Sequence, residues 1–331
     1  MAVLGAGSFG SALAVHLARA GHEVRLWART PAFAVDLQVR RANSVYLPDV
    51  TFPAGVGVTG DLAEALEGAA VVVLTVPTHG LRGVLDAARP RLSGDNVIVC
   101  ATKGLEEGTL LRMSELIRHT LGPTLPIVVL SGPSFAAEVA RGQPTAIVAA
   151  SASPEATALV LDQCRSRYLR LYASEDVVGV EIGGALKNTI AIAAGVVEGM
   201  GIGDNALAAL ITRGLAEISR LACVLGGRRE TLAGLAGLGD LVLTCTGALS
   251  RNRHVGIELA RGRRLPEIVG SMKMVAEGVK TTGAALALGA RHGVELPIAA
   301  QMAEVLAGRK DARRALEDLM VRPQRAEVDG G

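Results

Sequence analysis

Along the first half of the chain, short β-branched runs alternate with stretches whose apolar positions recur at helical spacing. The apolar runs at residues 2–4, 23–27, 70–76, 96–101, 127–130, 145–149 and 168–171 predict strands, with a weaker strand at 56–59. Between most of them, residues 8–20, 31–42, 61–66, 80–88, 110–120 and 154–165 carry helical patterns. Strands alternating with helices predict a parallel, doubly wound α/β sheet. Unbroken apolar runs such as residues 71–76 fit strands covered on both faces. Near residue 176 the pattern changes. Ile182, Leu186, Ile190, Ala194 and Val197 follow helical spacing, and residues 206–225, 277–292 and 298–306 behave the same way. The expectation is a sheet domain over residues 1–176 followed by a mostly α-helical domain over 177–331. No Pro/Gly/Ser-rich linker separates them, so the two should pack tightly. The polar stretch 322–331 is expected to fray.

Composition narrows the partners. Half of the 331 residues are hydrophobic, but only four Phe, three Tyr and one Trp are aromatic. Stacking platforms for bases are therefore nearly absent. The 34 Lys and Arg almost balance the 32 Asp and Glu, so no basic stripe argues for nucleic acid or a membrane surface. Uninterrupted apolar runs fall short of the roughly 18 residues of a membrane span. The apolar start is too short for a signal peptide. Membrane insertion is thus not expected. Cys100, Cys164, Cys223 and Cys245 lie far apart in apolar surroundings, which fits buried thiols in a reducing compartment. With no CxxC and no HxxxH pair, no metal site is expected.

The sharpest local signal is Gly5-Ala6-Gly7-Ser8-Phe9-Gly10, placed between a predicted strand and a predicted helix. That is the context in which GxGxxG binds a dinucleotide. Gly5 permits the tight turn, Gly7 lets the backbone approach a pyrophosphate, and Gly10 allows close helix packing, with the helix N-terminus offering N–H groups. The sheet domain is accordingly read as Rossmann-type. NAD-selective sites place an acid about 20 residues on. Here the second strand ends Leu26-Trp27-Ala28-Arg29, so a cation stands there instead. Arg29 can hold the 2′-phosphate of NADP or lie in solvent, and NADP or NAD both stay open. Two further turns follow strands of the same sheet. Lys103 can face nicotinamide or substrate, or be an ordinary loop lysine. Gly132-Pro133-Ser134 can offer backbone N–H groups to an anion, or simply turn the chain into a helix.

Carbonyl reduction without a metal needs a protein proton donor. Lys187 stands in an otherwise uncharged helical stretch, Gly183-Gly184-Ala185-Leu186-Lys187-Asn188. Apolar packing should lower its pKa toward a working range; a lysine snorkelling from a buried helix is the competing reading. Asp240, after the glycine-rich Gly237-Leu238-Gly239, can orient Lys187 or cap a helix. Ser250-Arg251-Asn252-Arg253 is a compact donor cluster that suits a phosphate, or a basic surface turn. Glu277 can accept hydrogen bonds from a ribose or amide, or solvate a helix start.

Together these segments resemble the bacterial-type NAD(P)-dependent glycerol-3-phosphate dehydrogenases. The resemblance runs through GAGSFGSALA, YLPD, TVPTHGLR, ATKGLE, SGPSFAAEVA, GVEIGGALKN, GLAGLGDLVLTC, SRNRHVG, VAEGVKT and LMVRPQRAE, nearly the whole chain in order. It implies a Rossmann-type domain followed by a helical one, homodimeric and cytoplasmic, interconverting dihydroxyacetone phosphate and glycerol 3-phosphate for phospholipid synthesis. It implies that Lys187 is the catalytic proton donor and acceptor. Substrate contacts are implied at Lys103, Gly132, Ser134, Lys187, Asp240, Ser250, Arg251 and Asn252. Cofactor contacts are implied at Ser8, Phe9, Arg29, Tyr46, Lys103, Ala136, Arg251, Val275 and Glu277, beside Gly5, Gly7 and Gly10 of the glycine motif.

Overall fold

Strands with helices between them carry the first half of the chain. The computed structural model describes residues 1–272, 276–323 and 327. In order the elements are β1 (Ala2–Leu4), α1 (Ser8–Arg19), β2 (Val24–Trp27), α2 (Pro31–Arg40), β3 (Ala42–Asn43), β4 (Leu47–Thr51), β5 (Val56–Thr59), α3 (Leu62–Leu66), β6 (Val71–Leu74), α4 (Thr78–Ala88), β7 (Val97–Cys100), α5 (Met113–Leu121), β8 (Ile127–Ser131), α6 (Ala136–Arg141), β9 (Thr145–Ala150), α7 (Pro154–Cys164) and β10 (Leu169–Ser174). Eight strands form one sheet in the order β10-β9-β8-β7-β6-β1-β2-β5. The alternation of strand side chains is visible in the core. Val3, Val73 and Val99 pack on one face, and Leu4, Leu74, Ile98 and Cys100 on the other. All are buried, as an unbroken apolar run requires when helices cover both faces.

Two features correct the sequence reading. The sheet is not wholly parallel, because β8 and β9 pair antiparallel. Their connection spends its length on a turn at Gly132 and on the six residues of α6, so the chain re-enters the sheet at the end it left. A parallel return would need a full crossover. The segment expected to continue α2 to residue 42 instead turns at Arg41, in the left-handed region (φ 51°), into a separate two-stranded hairpin, β3–β4.

The second half is helical: α8 (Val177–Gly199), α9 (Asp204–Val224), α10 (Arg229–Ala233), α11 (Asp240–Thr246), α12 (Arg251–Ala260), α13 (Leu265–Ser271), α14 (Gly278–Arg291), α15 (Pro297–Leu306) and α16 (Ala312–Met320). Asp176 starts α8 by accepting from the backbone N–H groups of Gly179 and Arg228, both at 2.8 Å. By length and mean hydropathy α8 could cross a membrane, which a reading of uninterrupted apolar runs did not bring out. It is instead the core of its half, with 89 % of its apolar window buried by the surrounding helices. Helix α12 crosses it at backbone contact. A Cβ on Gly195 would lie 1.9 Å from the Arg253 carbonyl oxygen, and one on Gly256 1.9 Å from that of Ile192. Only glycine at both positions permits this approach.

A buried ion pair fastens α8 to the sheet half. Glu181 accepts from Arg112 Nη1 at 2.5 Å and from the Ser114 N–H and hydroxyl, each at 2.7 Å. Removing Arg112 would leave a buried charge unpaired, which is strongly destabilising. The pair therefore fixes where the Lys187 segment stands against the strands.

Candidate active site

The carboxyl ends of β1, β2, β6, β7 and β8 open onto one cleft of about 480 Å³. This is where ligands of open α/β sheets bind. Gly5 to Phe9 line it after β1, Trp27 to Thr30 at the end of β2, Thr75 to Pro77 after β6, Ala101 to Lys103 after β7, and Ser134 to Ala136 after β8. The opposite wall is helical, with Lys187, Asn188, Thr244, Ser250, Arg251, Asn252 and Glu277.

The glycine turn divides its labour. Gly5 has φ +116°, and a Cβ there would lie 2.9 Å from Thr75 Oγ1, which itself donates to the Leu4 and Gly5 carbonyls at 3.0 and 2.9 Å. A Cβ on Gly10 would lie 1.9 Å from the Gly5 carbonyl oxygen. These two glycines let helix, turn and β6 meet. Gly7 differs: it lines the cleft, and a Cβ on it would meet no atom within 4 Å. No packing demand explains its missing side chain, but a ligand lying on the turn does. Helix α1 starts there with no side-chain cap and no acid in its first turn. Its positive end lines the cleft, where it suits an anion. The turn thus fits a dinucleotide pyrophosphate. Arg29 is exposed at the end of β2 in the same cleft, beside Phe33 and Tyr46, whose rings meet edge to face at 5.7 Å.

Lys187 reaches the cleft from the middle of α8, yet only 8 % of it is exposed. Its Nζ donates to Oδ1 of Asp240. Lys103 Nζ donates to Oδ2 of the same carboxylate at 2.6 Å and to the Gly132 carbonyl at 3.4 Å. One carboxylate therefore joins a sheet-domain lysine to a helical-domain lysine. The local sequence makes this possible. A Cβ on Gly183 would lie 2.8 Å from the Ala236 carbonyl oxygen, and one on Gly184 would lie 2.8 Å from Ser131 Oγ and 3.5 Å from the Lys103 stem. The paired glycines let Lys103 lie along one side of α8 and the 235–239 segment along another. That segment is a widened π-helical turn, Leu235–Gly239, which delivers Asp240 as the first residue of α11. Such turns recur at functional sites.

Burial pushes the Lys187 ammonium down to about 8; repulsion from Lys103 adds to this and attraction to Asp240 opposes it. At Asp240, burial alone would raise the carboxyl, but the two ammonium groups outweigh it and hold the group below its usual range. With two cations on one anion, the cluster keeps a net positive charge facing the cleft. Glu277 is raised by burial, against the pull of Arg251.

Ser250 caps α12, accepting from the Arg253 N–H at 3.3 Å. Arg251 follows as the first helical residue, exposed to the cleft. Asn252 is buried between two fixed partners: its Nδ2 donates to Asn188 Oδ1, and its Oδ1 accepts from the Gly278 N–H, both at 3.0 Å. Ser134 Oγ donates to the Gly132 carbonyl at 2.9 Å.

The cleft thus gathers Gly5, Gly7, Ser8, Phe9, Arg29, Tyr46, Lys103, Ser134, Ala136, Lys187, Ser250, Arg251, Asn252 and Glu277. Gly10, Gly132 and Asp240 stand behind its wall and act on it through the contacts above. Val275 lies outside the described residues. Sequence reasoning missed Asn188, Thr244, Phe33, Thr75 and His79 as cleft residues. Asn188 directly follows Lys187 in a largely apolar helix, and a polar pair there was a usable signal; the side chains of the others do not stand out from their segments.

A Rossmann-type sheet that opens its glycine turn toward a buried lysine on a helical domain defines a dinucleotide-dependent dehydrogenase. Comparison with known proteins gives the family. The N-terminal model of NAD-dependent glycerol-3-phosphate dehydrogenase matches residues 1–157, and the C-terminal model of the same family matches residues 176–317. The chain belongs to that family. A curated relative from Koribacter versatilis, glycerol-3-phosphate dehydrogenase [NAD(P)+], is 51 % identical over 99 % of this chain and 98 % of its own. One of the same name from Rhodospirillum rubrum is 51 % identical over 100 % and 94 %. The crystal structure of glycerol-3-phosphate dehydrogenase from Coxiella burnetii superposes with a TM-score of 0.94 at 39 % identity, covering 97 % of this chain and 98 % of that one.

Proposed function

We propose that the chain reduces dihydroxyacetone phosphate to sn-glycerol 3-phosphate, reversibly, with NADPH or NADH, and so supplies glycerol 3-phosphate for phospholipid synthesis. The observation that carries this reading is the buried Lys187 ammonium. It stands in the same cleft as an open glycine turn and the donor-rich start of α12.

Gly5, Gly7, Ser8, Phe9 and the start of α1 hold the cofactor pyrophosphate, with Gly10 closing the turn beneath them. Arg29, Phe33 and Tyr46 take its adenosine end, and Ala136, Glu277 and the Val275 segment its other end. When bound, the reduced nicotinamide supplies the hydride for the ketone carbon. Lys187 gives its Nζ proton to the carbonyl oxygen in reduction and takes it back in oxidation, a role worth typically 10²–10⁴-fold. A group near pH 8 serves both directions. Asp240 keeps Lys187 charged and aimed, and Lys103 bridges cofactor and substrate while sharing that carboxylate. Arg251 grips the substrate phosphate, with Ser250, Asn252 and the Gly132–Ser134 turn completing the donors. The chain divides at 176/177 into cofactor and substrate halves, and it works as a cytoplasmic homodimer.

The test is a panel of ketones against NADPH. Oxidation of NADPH on addition of dihydroxyacetone phosphate, matched by glycerol 3-phosphate formed, supports the reading. Turnover of a three-carbon oxo acid with none of dihydroxyacetone phosphate overturns it.

A further inference from the structure

The short hairpin β3–β4 is tied to the glycine turn through Asn43. That residue is 0 % exposed and does not line the cleft. Its carboxamide makes three hydrogen bonds. Nδ2 donates to the Ala6 carbonyl at 3.0 Å and to Ser11 Oγ at 2.8 Å, and Oδ1 accepts from the Tyr46 N–H at 3.0 Å. Chemistry fixes the orientation of the amide, since a backbone N–H can only donate and a carbonyl can only accept.

The Ala6 carbonyl and the Gly7 N–H belong to one trans peptide, so they point in opposite directions. With the carbonyl held on buried Asn43, the Gly7 N–H is turned toward the cleft that Gly7 lines. Among the described residues that N–H has no acceptor. We infer that Asn43 is a positioning residue of the dinucleotide site: it aims the Gly7 N–H at the pyrophosphate and, through the Tyr46 N–H, fixes Tyr46 at the same cleft. The inference rests on the dinucleotide reading above. It makes a further claim about selectivity. The pyrophosphate is common to NADH and NADPH, so Asn43 serves both equally, unlike a residue facing the 2′-phosphate.

The test is calorimetric titration of NADPH and of NADH into the wild-type protein and Asn43→Ala, with ligand-free thermal unfolding to show that the variant is folded. Loss of one charge-assisted hydrogen bond corresponds to about ten-fold in Kd. Both dissociation constants are expected to rise by about that factor, equally, and the cofactor KM to rise by more than kcat falls. Wild-type protein that binds neither cofactor refutes the dinucleotide reading itself. Wild-type binding with unchanged constants in folded Asn43→Ala, or a loss confined to one cofactor, overturns the inference alone. If the variant does not fold, a crystal structure of the wild-type protein with NADPH decides. A pyrophosphate oxygen about 3 Å from Gly7 N, with the Ala6 carbonyl still on Asn43, is the expected result. A rotated Ala6–Gly7 peptide, or a phosphate remote from Gly7, overturns the proposal.

Discussion

Gly7→Ala and Gly10→Ala alter the same motif by the same methyl group, yet they should fail in different ways. At Gly7 the backbone has φ −76° and ψ −174°, which any residue adopts, and the new Cβ meets no atom within 4 Å. Alanine is a poorer helix cap than glycine by a few tenths to about 1 kcal/mol. It also restricts the unfolded chain, which returns about 0.4–1 kcal/mol. The two nearly cancel, so the ligand-free melting temperature should hardly move. The methyl does occupy the space above the turn. Displacing a pyrophosphate from one or two charge-assisted hydrogen bonds costs about 1.5–3 kcal/mol each. Kd for NADPH should therefore rise at least about ten-fold. At Gly10 the Cβ would sit 1.9 Å from the Gly5 carbonyl oxygen and 2.4 Å from Thr75 Oγ1, so backbone must shift. Overpacking of this kind costs about 1–3 kcal/mol or more, and the melting temperature should drop by several degrees. Differential scanning fluorimetry and calorimetric titration read the two effects separately. Unchanged NADPH affinity in Gly7→Ala, or a loss of stability as large as that of Gly10→Ala, would refute the division of labour argued for the turn.

Three further outcomes follow from the same geometry. Reduction needs protonated Lys187, so kcat/KM for reduction should fall as pH rises through about 8, and for oxidation it should rise through the same region. Asp240→Asn removes the attraction that raises the Lys187 pKa and leaves the repulsion from Lys103, so both limbs should move to lower pH; a midpoint that stays put or moves up would show that Asp240 does not act on Lys187. Arg29→Asp should weaken NADPH by about ten-fold more than NADH, and an unchanged ratio in titration would mean that Arg29 only faces solvent. Gly256→Ala should force α12 off α8, because its Cβ would lie 1.9 Å from the Ile192 carbonyl oxygen. A melting temperature equal to wild type would show that the helices are not at backbone contact.

Much of this site could be read from the chain because it is built from local features. The glycine turn depends on neighbours in sequence, and its strand–turn–helix context is spelled out between residues 2 and 20. Lys187 stood out as the one cation in a long, largely apolar helix, although a snorkelling lysine would look the same, and the family segments around it decided between the two. What could not be read depends on distant pairings. Lys103 and Asp240 are 137 positions apart, and nothing near either one announces a shared carboxylate. The hairpin at Asn43 was missed because β3 has two residues, and the β4 sequence Leu-Pro-Asp-Val-Thr carries a proline and an aspartate that normally argue against a strand. Asn43 itself is one polar residue in a polar stretch, and its role exists only once the hairpin is folded against the turn. The reversal of β9 was hidden for a related reason: period and composition specify a strand but not its direction.

The central claim is that the Lys187 ammonium moves the proton. The most direct measurement compares wild type with Lys187→Ala in steady-state NADPH oxidation on adding dihydroxyacetone phosphate, alongside NADPH affinity by titration. The account predicts a fall in kcat of about 10²–10⁴-fold with Kd for NADPH unchanged. Retained turnover, or loss of NADPH binding in proportion to the loss of rate, would contradict it.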